Sequence, residues 1–223
     1  MTILPVPSGG NLSSLLQQYA ALTAEDTKKE LLRLLDLLRE EKTDDYHGCY
    51  DAVSYLAWKL GYLSPEDIQD ILKKKEYSPF ENLAANLMCG WAQRDFQSAM
   101  DYLLKHKREM SQVPDIFEKM IQVQTKKDAD QLLQWLPSLS AGERGPALET
   151  IACDLPKYHP EKLPDFAAML TDKDLKFTAL GGELATTWAL TDWGSLNAWA
   201  NTLNKDNRRR VIESGLPAWE KMI

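Results

Sequence analysis

Trp91-Ala-Gln-Arg-Asp95-Phe-Gln-Ser-Ala99-Met-Asp-Tyr102-Leu103 and Trp188-Ala-Leu-Thr-Asp192-Trp-Gly-Ser-Leu196-Asn-Ala-Trp199-Ala200 are two versions of one pattern. Each runs aromatic, small, two spacers and Asp, with apolar residues four, seven and eight places after the Asp. Three weaker copies keep the apolar frame: Leu60 through Ser64 to Ile68 and Ile71, Gln124 through Asp128 to Leu132 and Trp135, and Leu155 through His159 to Leu163 and Phe166. The copies start at 60, 91, 124, 155 and 188, so the intervals are 31, 33, 31 and 33. A sixth start falls at Trp219. Spacing this regular marks an internal repeat, which settles the fold before any local reading does.

Upstream of each Asp the apolar sites step by three and four. Before Asp95 they are Trp91, Met88, Leu87, Ala84, Leu83 and Phe80; before Asp192 they are Trp188, Ala185, Leu184, Gly181, Leu180 and Phe177. Before Asp128 they include Ile121, Met120, Phe117, Ile116 and Val113. This is the stripe of an amphipathic helix, here called helix A, and the apolar sites after the Asp make a shorter helix B of the same period. Asp95, Asp128, Asp192 and Ser64 stand where helix B begins, and a short side-chain oxygen there accepts from the unpaired amides of a first turn. Pro65 and Pro160 suit the first helical position, where a missing N–H costs nothing. Three residues before each cap stands Gly61, Ala92, Thr125, Pro156 or Ala189, the site at which the two helices of a tight hairpin are expected to meet.

The flanks read as end pieces. Residues 11–44 form an N-terminal helical hairpin cap, leucine-rich around Leu31, Leu34, Leu35 and Leu38, with Thr23 and Asp26 as a variant capping box. Residues 45–223 form the repeat array, closing on a lone helix from about 206 to 222, and residues 1–10 form a disordered tail. No segment reads as a strand. The fold expected is an all-α right-handed α-solenoid of about five antiparallel helical hairpins, in repeats of 31–33 residues, with an N-terminal helical cap.

Such an array is tetratricopeptide-like, although the Trp, Leu-Gly, Tyr and late Pro of that consensus are missing. Trp91, Ala92, Asp95, Ala99 and Tyr102, with Trp188, Ala189, Asp192 and Trp199, resemble the Trp-Ala-x-x-Asp-Pro-x-x-Ala-x-x-Trp helical repeats of Verrucomicrobia and Planctomycetes proteins. His159-Pro160 departs from that pattern at the cap. The resemblance spans roughly residues 45–223 and implies a helical array with no known catalytic residues.

Composition agrees with a folded domain. In 223 residues, 44% are hydrophobic and 26% charged, which excludes collagen-like and wholly disordered chains. Twenty-six Lys and Arg against 33 Asp and Glu leave a net charge of −7, against a surface devoted as a whole to nucleic acid or anionic lipid. Cys49, Cys89 and Cys153 are odd in number and widely spaced, which suits a reducing compartment. Met1 to Gly10 has neither a basic nor an apolar leader region, and no apolar run reaches the ~20 residues of a membrane span. These features predict a cytoplasmic protein, or one of the cell envelope if an export signal has been removed, without membrane insertion.

Chemistry-bearing motifs are sparse. His47-x-Cys49, Cys89 and Cys153-x5-His159 lack zinc-ligand spacing, so no metal site is expected. No phosphate-binding loop or serine nucleophile elbow is present, and Gly181-Gly182 falls within a helix A. No cofactor and no catalytic residue are expected. Of Trp58, Trp91, Trp135, Trp188, Trp193, Trp199 and Trp219, the periodicity places Trp91, Trp135, Trp188, Trp199 and Trp219 inside and leaves Trp193 partly exposed.

The polar positions of helix B suggest an interaction surface. Glu66, Asp67, Asp70, Gln97, Asp101, Asp130, Gln134, Glu161 and Asp165 stand two, three or six places after the caps, spaced for one exposed face, with Lys162 as the lone base among them, and a protein or basic peptide is the partner they fit. An alternative lies in the turns after helix B, where Lys73, Lys74, Lys75, Lys105, Lys107, Arg108, Lys205, Arg208, Arg209 and Arg210 could make a basic rim for nucleic acid. A DNA-repair-type enzyme on helical repeats is the catalytic form of that alternative. Cations at helix C-termini also have a simpler use, complementing the helix dipole.

Overall fold

The computed structural model describes residues 17–43, 45–74, 80, 82–171, 174–176 and 178–222, with backbone only at 176, 178–181 and 183. Among these residues every regular element is helical and no strand occurs. The tail at 1–10 and the start of the N-terminal hairpin fall outside the described residues, as does Lys75 of the basic rim. The chain divides into two compact units, Met1–Met120 and Ile121–Ile223.

In the first unit α1 (Ala24–Arg39) packs on α2 (Tyr46–Leu63), followed by α3 (Pro65–Leu72), α4 (Leu83–Arg94) and α5 (Phe96–His106). Helix α6 (Val113–Lys127) runs through the division between units. The second unit continues with α7 (Ala129–Trp135), α8 (Ala141–Tyr158), α9 (Leu163–Ala168), α10 (Thr178–Ala200) and α11 (Lys205–Glu220). Helices A of the five copies are therefore α2, α4, α6, α8 and the first part of α10. Helices B are α3, α5, α7, α9 and the last part of α10, which is broken at Asp192 by extended backbone (φ −156°, ψ 88°).

The break is the repeat's signature. Ser64, Asp95, Asp128 and His159 have the same conformation, with φ between −141° and −158° and ψ between 61° and 90°. Each still donates its own N–H to the residue four back, Leu60, Trp91, Gln124 or Leu155, at 2.7–2.8 Å, and so closes helix A before the chain turns. Asp95, Asp128 and Asp192 then accept from the amides of Ser98, Gln131 and Ser195 at 3.1, 3.0 and 3.0 Å. That is the N-cap bond their side chains predict.

Two junctions depart from the expectation. The Ser64 hydroxyl donates to the Asp67 carboxylate at 2.7 Å instead of accepting from an amide. At His159 no side-chain cap forms, and Pro160–Lys162 is a 3-10 turn before α9 starts at Leu163. Pro164 stands in the first turn of α9, where the amides have no partner within the helix and a missing N–H costs nothing.

A helix continued without a break would hold residues eleven apart about 16 Å from each other. Instead the rings of Trp91 and Tyr102 lie 5.3 Å apart, and those of Trp188 and Trp199 5.6 Å. The chain therefore doubles back at both strong copies and pairs the same two template positions. Trp188 and Trp135 are buried, at 2% and 5% exposure. Trp91, Trp199 and Trp219 are only half-buried, contrary to the expectation that all five template tryptophans lie inside. The Trp199 indole N–H donates to the Ala167 carbonyl at 3.2 Å.

The small residue before the cap also works differently from expectation. A Cβ at Gly61 would collide with the Leu87 carbonyl of α4, and one at Gly90 with the Trp58 carbonyl of α2. The close approach thus joins helices A of successive copies, not the two arms of one hairpin. Ala92 and Ala189 are buried at the equivalent position, and the buried Thr125 hydroxyl donates back to the Ile121 carbonyl.

In the N-terminal segment Thr23 caps α1, accepting from the Asp26 amide at 3.2 Å and donating to its carboxylate at 2.8 Å. Lys59 of α2 is buried, and its ammonium donates to the Tyr19 and Ala20 carbonyls at 2.5 and 2.7 Å, ending the helical turn at 17–20. Burial lowers the Lys59 pKa.

Candidate functional site

Helices B place the acidic positions by their own amphipathicity. Ile68 and Ile71 of α3, Ala99 and Leu103 of α5, and Leu132 and Trp135 of α7 are buried, which turns the intervening positions outward. Glu66, Asp70, Gln97, Asp101, Asp130, Gln134, Glu161 and Asp165 are exposed. Asp67 is half-buried and belongs to the packing: it pairs with Lys28 of α1 at 2.5 Å and accepts from Ser64. The Lys28 bond, then that of Ser64, lowers the Asp67 pKa.

Other carboxylates have neighbours within their own unit. Gln97 donates to Asp101 at 2.9 Å, Lys162 pairs with Asp130 at 2.6 Å, and His159 Nδ1 lies 3.3 Å from Glu161. The Lys162–Asp130 pair links the B segments of the third and fourth copies. Glu66 sits in the first turn of α3, where its own amide and then Ser64 lower its pKa. Exposed carboxylates at these positions can pair with an incoming cation, with gains of ~1 kcal/mol or less each.

Basic residues of the alternative rim are also exposed where described: Lys73 and Lys74 after α3, Lys105, Lys107 and Arg108 at the end of α5, and Lys205, Arg208, Arg209 and Arg210 in α11. The last four lie in the first half of their helix, so dipole complementation at a C-terminus does not explain them. Arg209 pairs with Glu213 at 2.6 Å.

The buried thiols, Cys49 and Cys89, serve the packing. Cys49 is buried beside the Thr43 hydroxyl at 3.4 Å, and burial pushes the Cys89 thiol up to about 11, far from a reactive thiolate. Among the described residues no group of three His, Cys, Asp or Glu could hold a metal ion, and no helix is long and apolar enough to cross a membrane.

One exposed feature lies outside the repeat register. Helix α2 carries Tyr46, Tyr50 and Tyr62 exposed, with Trp58 stacked on Tyr62 at 5.9 Å and on Tyr55 at 6.4 Å. The spacing 55, 58, 62 gives an aromatic stripe at helical period, on the side of α2 opposite its buried Ala52, Val53, Leu56 and Leu60.

Compared with known protein families, with curated proteins and with solved structures, this chain matches none.

Proposed function

We propose that this chain is a non-enzymatic helical-repeat scaffold, a right-handed α-solenoid similar to the Trp-Ala-x-x-Asp-Pro repeats, that binds a basic segment of another protein through its second helices. The observation that carries the reading is the recurrence of exposed carboxylates two and six places after the caps of helix B, at Glu66, Asp70, Asp101, Asp130, Glu161 and Asp165, in a chain of net charge −7. Fixed acids in register raise the local concentration of a cationic partner and speed its encounter, with a strong dependence on salt.

The test is a titration with a hexa-lysine peptide and with a short DNA duplex. Changing Asp70, Asp101 and Asp165 to Lys is expected to weaken peptide binding on the order of tenfold or more, with the thermal melt little changed because all three are exposed. Asp67 is left intact because its bond to Lys28 holds α1 on α3. Duplex binding that disappears when Arg208, Arg209 and Arg210 become Glu, together with no peptide binding, contradicts the proposal and favours the basic rim.

A further inference from the structure

Arg94 and Thr191 occupy the same position of the repeat, one residue before the caps Asp95 and Asp192. In the first unit the Arg94 guanidinium reaches back to the preceding junction and donates to the Leu63 carbonyl at 2.9 Å and the Tyr62 carbonyl at 3.4 Å. These carbonyls end α2, where the helix dipole concentrates negative charge. Glu66 of the same junction adds a carboxylate to the guanidinium's surroundings. In the second unit the junction after α6 also has a group from the next copy against it: His159 Nε2 lies 3.3 Å from the Lys126 carbonyl, which is in the register of Tyr62.

At the junction after α8 the position of Arg94 is held by Thr191, whose hydroxyl donates to the Trp188 carbonyl of its own helix at 3.0 Å. Thr191 is too short to span it, and a cleft of about 450 Å³ lies there, lined by Pro160, Glu161, Pro164, Trp188, Thr191 and Asp192. Five of those six stand in the register of Pro65, Glu66, Trp91, Arg94 and Asp95 in the first unit. The carbonyls of Lys157 and Tyr158, ending α8, correspond to those that Arg94 meets.

We propose that this cleft receives an arginine side chain of the basic partner, which takes the place that Arg94 fills in the first unit. The inference rests on the reading that the partner is basic, and it names the side chain and the seat. Glu161 and Asp192 bring negative charge to the cleft's lining, and Pro160, Pro164 and Trp188 bring apolar surface on which a flat group can rest. The Asp192 carboxylate is held by the Ser195 amide and hydroxyl at 3.0 and 2.5 Å, so it is oriented before a ligand arrives. A guanidinium is planar, weakly hydrated and carries five donors in a fixed fork, whereas a lysine ammonium is a compact, strongly hydrated point charge. The cleft should therefore prefer arginine to lysine at equal net charge.

The experiment titrates the full chain with hexa-arginine and hexa-lysine peptides, measuring Kd and the indole N–H resonance of Trp188. Hexa-arginine is expected to bind about tenfold or more tighter and to shift that resonance. Thr191→Arg places the chain's own guanidinium in the cleft and is expected to bring the two affinities within about twofold, with a melting temperature no lower than that of the parent. Glu161→Gln, at an exposed position, should narrow the preference and decides the matter if Thr191→Arg does not fold. Equal affinities for the two peptides, or a preference that survives both substitutions, overturns the arginine seat and leaves the acidic second-helix reading standing. Binding of neither peptide overturns both.

Discussion

The junction residue is where side-chain chemistry and backbone conformation separate. Ser64, Asp95, Asp128, His159 and Asp192 share one extended conformation, yet only the three aspartates make the N-cap bond. Asp192 shows what the side chain adds: the Ser195 hydroxyl, then the Ser195 amide, lowers its pKa, so the cap is charged at neutral pH. Because that pKa is depressed by folding, its contribution is present above the ordinary carboxylate value of about 4 and is lost as pH falls through the folded value. Asp192→Ala is expected to cost about 1 kcal/mol and Asp192→Asn much less, since Asn retains the acceptor. Thermal melts of the two variants at neutral pH check this; equal losses would show that the amide bond to Ser195 contributes little.

Between elements, the reciprocal contact of Gly61 and Gly90 sets how closely α2 and α4 approach, since each presents bare backbone to a carbonyl of the other helix. Gly90→Ala is expected to destabilise by about 1–3 kcal/mol through overpacking. Gly142→Ala, in α8 with open space around its Cβ position, should be neutral or slightly stabilising by urea denaturation, and a similar loss from both would contradict this packing. The helices, their five junctions and the aspartate caps were legible in the sequence because period and cap chemistry are local properties. Which helix a glycine touches was not, since Gly61 is small for a neighbour that arrives about 26 residues later, at Leu87. For the same reason the half-burial of Trp91, Trp199 and Trp219 escaped the periodicity, which gives a side chain's direction but not how much of it its neighbours cover. The register of the exposed acids was legible, whereas the bond of Asp67 to Lys28, 39 residues away, and the cleft beside Trp188 depend on tertiary contacts that no local pattern encodes.

Across the whole chain, the net charge of −7 and the exposed acids of successive second helices underlie the proposal that these helices receive a basic segment. The most direct measurement is amide hydrogen exchange of the full chain with and without saturating hexa-arginine. The account predicts slower exchange in the second helices, at 65–72, 96–106, 129–135 and 163–168, and at the junction 188–192, with the first helices α2 and α4 unchanged. Slowing confined to the basic turns and α11, at 73–74, 105–108 and 205–210, or no slowing anywhere at saturating peptide, would contradict it.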